Sequence, residues 1–154
     1  MCSWITAFSV GSAQSRTTLI GTWKLISIFN VTDKGAITPA LVDGRSGEGL
    51  LTYTQDGRMM AIIGAEGRKF LSRGLFDSPV EERAAAYSTS VAYAGRFALN
   101  GDKVVHHVEA SSIPNWVNTD LVRLIVKLQG DRLTLRAPLP FVWADGVKYA
   151  YQME

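Results

Sequence analysis

The chain has 154 residues, 47% of them hydrophobic and 19% charged, which predicts one globular domain with its own core and excludes general disorder. Its 16 basic and 14 acidic residues leave a net charge of +2 with no Lys/Arg run, which excludes a dedicated nucleic-acid binder. A single cysteine, Cys2, excludes an internal disulfide, argues against a cysteine metal site and favours a reducing compartment, so the expected location is the cytoplasm.

The chain opens on Trp4-Ile5-Thr6-Ala7-Phe8-Ser9-Val10, followed by small residues. A signal segment has this apolar stretch, but no Lys or Arg precedes it here, and it is too short to span a bilayer. Residues 1–18 are therefore expected to form an arm that packs Trp4, Ile5 and Phe8 on a barrel domain of residues 19–154.

Gly21-Thr22-Trp23 opens the first expected strand, which runs to Asn30 with apolar residues on both faces. A turn at Asp33-Lys34-Gly35 and a loop from Pro39 to Gly49 follow. Leu50 to Thr54 and Arg58 to Ile63 read as a hairpin, because Asp56-Gly57 supplies the positive φ of a tight turn. Ser78-Pro79-Val80-Glu81 has the form of a capping box, and Val80, Ala84, Tyr87 and Val91 predict a short helix bracing or covering the barrel with one apolar stripe.

Strands then resume at Ala92–Leu99, Lys103–Ala110, Leu121–Leu128, Arg132–Ala137 and Val147–Met153. The turns Asn100-Gly101-Asp102, Gln129-Gly130-Asp131 and Asp145-Gly146 separate them. This rhythm predicts an all-β fold, a single antiparallel up-and-down barrel with one short α-helix. Function in such a barrel sits on inward-facing side chains.

Several segments occur in a familiar order: Gly21-Thr22-Trp23, Tyr53 with Asp56-Gly57-Arg58-Met59, Ala92-Tyr93-Ala94-Gly95, Val105-His106-His107-Val108 and Pro114-Asn115-Trp116-Val117. With Arg123 and Asp131-Arg132-Leu133-Thr134-Leu135, they resemble the lipocalin-like domain family of small bacterial and fungal proteins. The resemblance implies a calycin-type barrel around a small-molecule pocket, without implying one activity. Some fungal relatives act as cyclases or isomerases in secondary metabolism. Two departures stand out. Asn118 occupies the place where the family often has Gly, and the last strand carries Tyr149 and Tyr151 but no Arg to stack on the Gly-x-Trp indole.

His106 and His107 are the only histidines, and neighbours on a strand point to opposite faces, so they cannot share one cavity or one metal. The apolar company of Val104 and Val108 favours His106 as the inward one, whereas a polar pocket would favour His107; an inward imidazole of near-neutral pKa serves as acid or base. The bland alternative is a histidine hydrogen-bonded in the wall. Arg123 interrupts an apolar strand. If inward, its guanidinium binds a carboxylate or enolate oxygen; if outward, it joins Lys127 in a solvated stripe.

His106, Arg123, Tyr53 and Tyr93 are the candidate catalytic residues, with a tyrosine and Arg123 stabilising an oxyanion. His107, Trp116, Met60, Arg96, Tyr149 and Tyr151 are candidate ligand-binding residues, Trp116 as a cover over the mouth. No nucleophile elbow, P-loop or dinucleotide fingerprint is present, so no cofactor and no metal is expected.

The lead expectation is a cofactor-independent isomerase or cyclase acting on a hydrophobic, oxygen-bearing metabolite of polyketide or terpenoid type. The alternative is a carrier for a fatty-acid-like or polyketide-like ligand; a third is a barrel filled by its own side chains. The first two require a cavity of about 300 Å³ or more. The expected partner is a hydrophobic small molecule, with no nucleic acid and no membrane span, and a homodimer is left open.

Overall fold

The computed structural model describes residues 16–32, 37–39, 47–138, 141–142 and 148–154. The expected arm lies outside the described residues up to residue 15 and ends in a one-turn helix, α1 (Arg16–Leu19). Strands β1 (Gly21–Lys24), β2 (Ile28–Thr32), β3 (Ile37–Pro39), β4 (Gly47–Tyr53) and β5 (Arg58–Ala65) come next. Helix α2 (Val80–Ser88) leads into β6 (Ser90–Asn100), β7 (Lys103–Ser111), β8 (Asp120–Gln129), β9 (Arg132–Arg136), β10 (Phe141–Val142) and β11 (Lys148–Met153). β3 and β10 were not expected from the sequence.

All strands belong to one sheet in the order β1-β4-β5-β6-β7-β8-β9-β11-β2-β3, with β10 paired to β11. From β4 to β9, chain neighbours are sheet neighbours, and every pairing is antiparallel. Closure comes from the first strand, which belongs to both ends of the sheet: β1 pairs with β4 and β2 pairs with β11. Expected as one strand buried on both faces, this segment instead bends at residues 25–27. There Leu25 N–H still bonds Gly49 O at 2.9 Å, while Ser27 N–H bonds Glu154 O at 3.1 Å. The bend turns Ile26 out to solvent.

Alternation along the strands selects the core. Tyr53, Met59, Ala61, Tyr93, Phe97, Val104, Val108, Ile125, Leu133 and Leu135 point inward and form one cluster with Leu19. The Trp23 indole N–H donates to Leu19 O at 3.0 Å, fixing α1 to the first strand. Two β-bulges break the alternation. One lies opposite Ala94/Gly95, where Glu109 is the extra residue, and the other lies between Ile125 and Lys127. Beyond the second bulge Lys127 faces outward and Leu128 packs on the core, the reverse of what strict alternation predicts.

Helix α2 also departs from expectation. No residue in it is buried, and Val80 and Tyr87 are exposed, so the apolar stripe does not brace the barrel. Pro79 takes the N-cap position, which leaves Ser78 one residue too early for a capping box. Its hydroxyl instead donates to Gly74 O and accepts from Arg73 N–H, both at 3.1 Å. Polar tethers hold the helix: the Tyr87 hydroxyl donates to Ser112 O at 3.0 Å, and Arg68 Nη2 donates to Ala86 O at 2.9 Å.

Candidate functional site

Four side chains from four strands meet inside the barrel. Tyr53 ends β4, Tyr93 lies on β6, His106 on β7 and Arg123 on β8, each at an inward position of its strand. His106 and Tyr53 are each 1% exposed, and Arg123 is 8% exposed. The imidazole bridges the two phenols: Nε2 lies 2.7 Å from the Tyr53 hydroxyl and Nδ1 lies 3.1 Å from the Tyr93 hydroxyl. Phe97 packs edge-on against Tyr53 with centroids 4.8 Å apart, and Trp116 packs edge-on against Tyr93 at 5.7 Å. Phe97 was missed in the sequence, although it shares Tyr93's face by simple alternation.

Arg123 carries a buried positive charge that has no carboxylate partner among the described residues. Its Nη1 donates to Val122 O at 2.9 Å, and its buried Nε has no hydrogen-bond partner among the described residues. That charge shapes its neighbours. Burial first, then Arg123, pushes the His106 pKa down to about 3, so the imidazole is neutral at cellular pH. The expectation of a near-neutral pKa does not hold, because the imidazole is buried and lies beside a cation. Burial also raises both phenols above the ordinary tyrosine value, with Arg123 opposing the rise in each.

A hydrogen count follows from neutrality. Two phenols and one imidazole N–H supply three hydrogens, while the Tyr53–His106 and His106–Tyr93 bonds use two of them. In either imidazole tautomer the spare hydrogen sits on a phenol. The cation beside Tyr93 draws that oxygen's lone pairs, turning its hydrogen toward Nδ1. Nε2–H then donates to Tyr53, whose own hydrogen remains free to donate to a further acceptor.

The remaining candidates lie elsewhere. His107 faces outward and pairs with Asp120 at 2.5 Å. Arg96 is outward too, on Glu109 at 2.9 Å, and Arg58 shares the same carboxylate. Met60 is 55% exposed on the outer wall, while Met59 takes the inward place. None of these three can line the interior, because each falls on the outward phase of its strand. Tyr149 and Tyr151 lie on β11, and their side chains fall outside the described residues.

A concavity of about 540 Å³ lies on the outer wall around Leu50, Met60, Ile62 and Ala94, and one of about 420 Å³ lies between β1 and the β8–β9 turn. Tyr93 borders the first, but neither is lined by Tyr53, His106 or Arg123. The expected cavity of about 300 Å³ or more around the polar group is thus not supplied by these hollows. Half-buried Trp116, on the turn Pro114–Trp116, packs over the Tyr93 ring. Asn118, two residues on, has φ 61°, the left-handed conformation that the family's usual Gly adopts freely.

Among the described residues no cluster of His, Cys, Asp and Glu could hold a metal, and no helix is long and apolar enough to cross a membrane. Fold and site together define an antiparallel β-barrel of calycin type with a buried polar group inside its wall whose cation has no carboxylate partner among the described residues. A family model described as a lipocalin-like domain matches residues 20–146, and the chain belongs to that family. It is also 38% identical, over 85 residues, to a 4'-hydroxy-3'-methoxypropiophenone carrier protein of Aspergillus oryzae, an overlap covering 50% of this chain and 71% of that protein.

Proposed function

We propose that this protein binds a hydrophobic small molecule bearing a carbonyl or acidic oxygen, and carries it without transforming it. The observation behind this reading is the Arg123 guanidinium, buried beside a neutral imidazole and two phenols with no carboxylate to balance it among the described residues. A buried cation lacking a counter-charge is costly, and an electron-rich ligand oxygen relieves it. In this reading Arg123 and the free hydrogen of Tyr53 hold that oxygen, His106 fixes the hydrogen-bond direction, and Trp116 closes over the bound molecule. The likeness to a protein named as the carrier of an aryl ketone supports it.

The second reading, a cofactor-free isomerase or cyclase, draws on the hydrogen-bonded Tyr53–His106–Tyr93 chain, which has the form of a proton relay. Against it stand the protonation states. An acid–base catalyst works best with a pKa near the operating pH, and here the base sits near 3 while both acids lie above the ordinary tyrosine value. None of the three changes charge at neutrality.

Calorimetric titration with 4'-hydroxy-3'-methoxypropiophenone, followed by mass analysis of the recovered ligand, tests the choice. One-to-one binding with unchanged ligand is expected, weakened at least about ten-fold in Tyr53→Phe, as for the loss of a hydrogen bond to a buried partner. Conversion of the ligand would favour the enzyme. Failure to bind this ketone, long-chain fatty acids or aromatic polyketides would remove both readings.

A further inference from the structure

We infer that this protein docks on anionic lipid surfaces through the loop between β5 and α2, residues 66–79. The inference goes beyond the binding reading above and stands whether or not the barrel holds a ligand.

The loop carries Arg68-Lys69-Phe70-Leu71-Ser72-Arg73-Gly74-Leu75-Phe76. Three of these nine residues are basic and none is acidic, so this stretch alone exceeds the chain's net charge of +2. None of the three basic side chains enters an ion pair among the described residues. Phe70 is 100% exposed, Phe76 83% and Leu75 64%. Scattered exposed hydrophobics are ordinary on any surface, but three large ones in water on one short basic loop mark an interaction site. Helix α2, next in the chain, leaves Val80 and Tyr87 exposed too.

The loop's own hydrogen bonds impose this exposure. Buried Ser78 is its hub: its N–H and that of Asp77 both reach Gly74 O at 3.1 Å, while its hydroxyl joins Gly74 O to Arg73 N–H. Glu82 Oε2 accepts from the Ser72 N–H and hydroxyl at 2.9 and 3.0 Å, tying the loop to α2. Arg68 Nε donates to Thr89 Oγ1 at 3.2 Å, anchoring the other side. The backbone is thus set with Phe70, Leu75 and Phe76 in water before any partner arrives, so docking has little left to order.

Charge and apolar tips together select the partner. Aromatic and aliphatic side chains sink into the boundary between headgroups and acyl chains, and Lys or Arg beside them pairs with anionic headgroups. The same basic loop on a second copy would repel this one. Docking also orients the barrel. β5 and β7 run the same way, each antiparallel to β6, so the loop after β5 and the Pro114–Trp116 turn after β7 lie at one end, joined by the Tyr87–Ser112 bond. That end faces the lipid in the docked protein, and the tight turns at Gly57, Gly101 and Gly130 face away.

The test is sedimentation with sucrose-loaded vesicles of phosphatidylcholine, with and without phosphatidylserine. The wild type should sediment with the mixed vesicles, poorly with pure phosphatidylcholine, and less as salt rises. Phe70→Ser/Phe76→Ser and Lys69→Ala/Arg73→Ala should each weaken partitioning by about ten-fold or more, the second as for two charges at roughly five-fold each. Ile62→Ser, which removes an exposed apolar side chain from β5 itself, should change nothing. All these parent residues are exposed, so the variants should melt as the wild type does. In a Cys2→Ser background, a nitrobenzoxadiazole dye on Leu75→Cys should brighten and shift to the blue on the mixed vesicles. The same dye on Asp102→Cys, in a turn at the opposite end, should not.

No uptake by the mixed vesicles, equal uptake by both vesicle types, undiminished uptake in either double variant, or a dye response at 102 instead of 75 would each overturn the docking. So would dimers in sedimentation velocity that dissociate in Phe70→Ser/Phe76→Ser, since the loop would then belong to a second copy. Ketone binding inside the barrel is measured separately, so the failure of either reading leaves the other standing.

Discussion

Replacing Arg123 with methionine should make the protein more stable and unable to hold its ligand. The side chain is 8% exposed, bonded to Val122 O and to the Tyr93 side chain, with no carboxylate partner among the described residues. Burying an ion without a counter-charge costs several kcal/mol after relaxation, and losing its two hydrogen bonds gives back only part of that. Methionine keeps the length and flexibility of the stem and removes the charge. The balance is a gain of about 1–3 kcal/mol, or roughly 2–4 °C in Tm for each kcal/mol in a domain of this size. Urea unfolding at neutral pH measures it. The same variant should raise the His106 pKa without returning it to 6.5, because burial is the first cause of its depression and Arg123 the second. Proton NMR titration of the imidazole follows that shift. A loss of more than about 1 kcal/mol would refute the reasoning, since it would mean the guanidinium is balanced and structural.

His106 makes stability depend on pH: its folded pKa lies near 3 and its unfolded value near 6.5, so the unfolded chain binds the extra proton between them. Stability is therefore full above about pH 6.5 and falls as pH drops toward 3, by roughly 1.4 kcal/mol per unit at most. His106→Gln should flatten the slope between pH 6.5 and 4.5, as read from urea midpoints across that range. Gly95→Ala should destabilise by about 3 kcal/mol or more, because the new Cβ would stand 1.9 Å from His107 O, a backbone atom that cannot step aside. Thermal melts would report it, and a melt within 2 °C of wild type would contradict the bulge geometry. Asn118→Gly should be neutral or slightly stabilising, whereas Asn118→Ala should cost about 1 kcal/mol at φ 61°, again by chemical unfolding.

Local chemistry made much of the barrel legible. Gly57, Gly101 and Gly130 all adopt positive φ at the turns their neighbours announce, and these turns set three of the five strand pairings from β4 to β9. Period-two alternation was enough to oppose His106 to His107 and to set Met59 against Met60. It failed where the period itself breaks. The extra residue at Glu109 and the bulge after Ile125 re-phase β7 and β8, and nothing local in Val126-Lys127-Leu128 marks the change. The split of the first strand between two partners was hidden for a similar reason. It depends on which distant strands flank each half, β4 for one and β11 for the other, a long-range fact that leaves no trace in the composition of residues 23–30.

The site's chemistry was legible only as a set of residue types. Tyr53, Tyr93, His106 and Arg123 are separated by up to 70 positions in the chain, and only the closed sheet brings them into one hydrogen-bonded group. Their protonation could not be read from identity. A histidine is expected to titrate near neutrality until its burial and the adjacent guanidinium are known. Those two facts alter the functional argument more than the fold does. With His106 neutral, the quartet keeps one net positive charge and one undonated phenolic hydrogen, both of which favour a bound oxygen. A carboxylate beside His106 would lift its pKa toward neutrality, and no described carboxylate pairs with it.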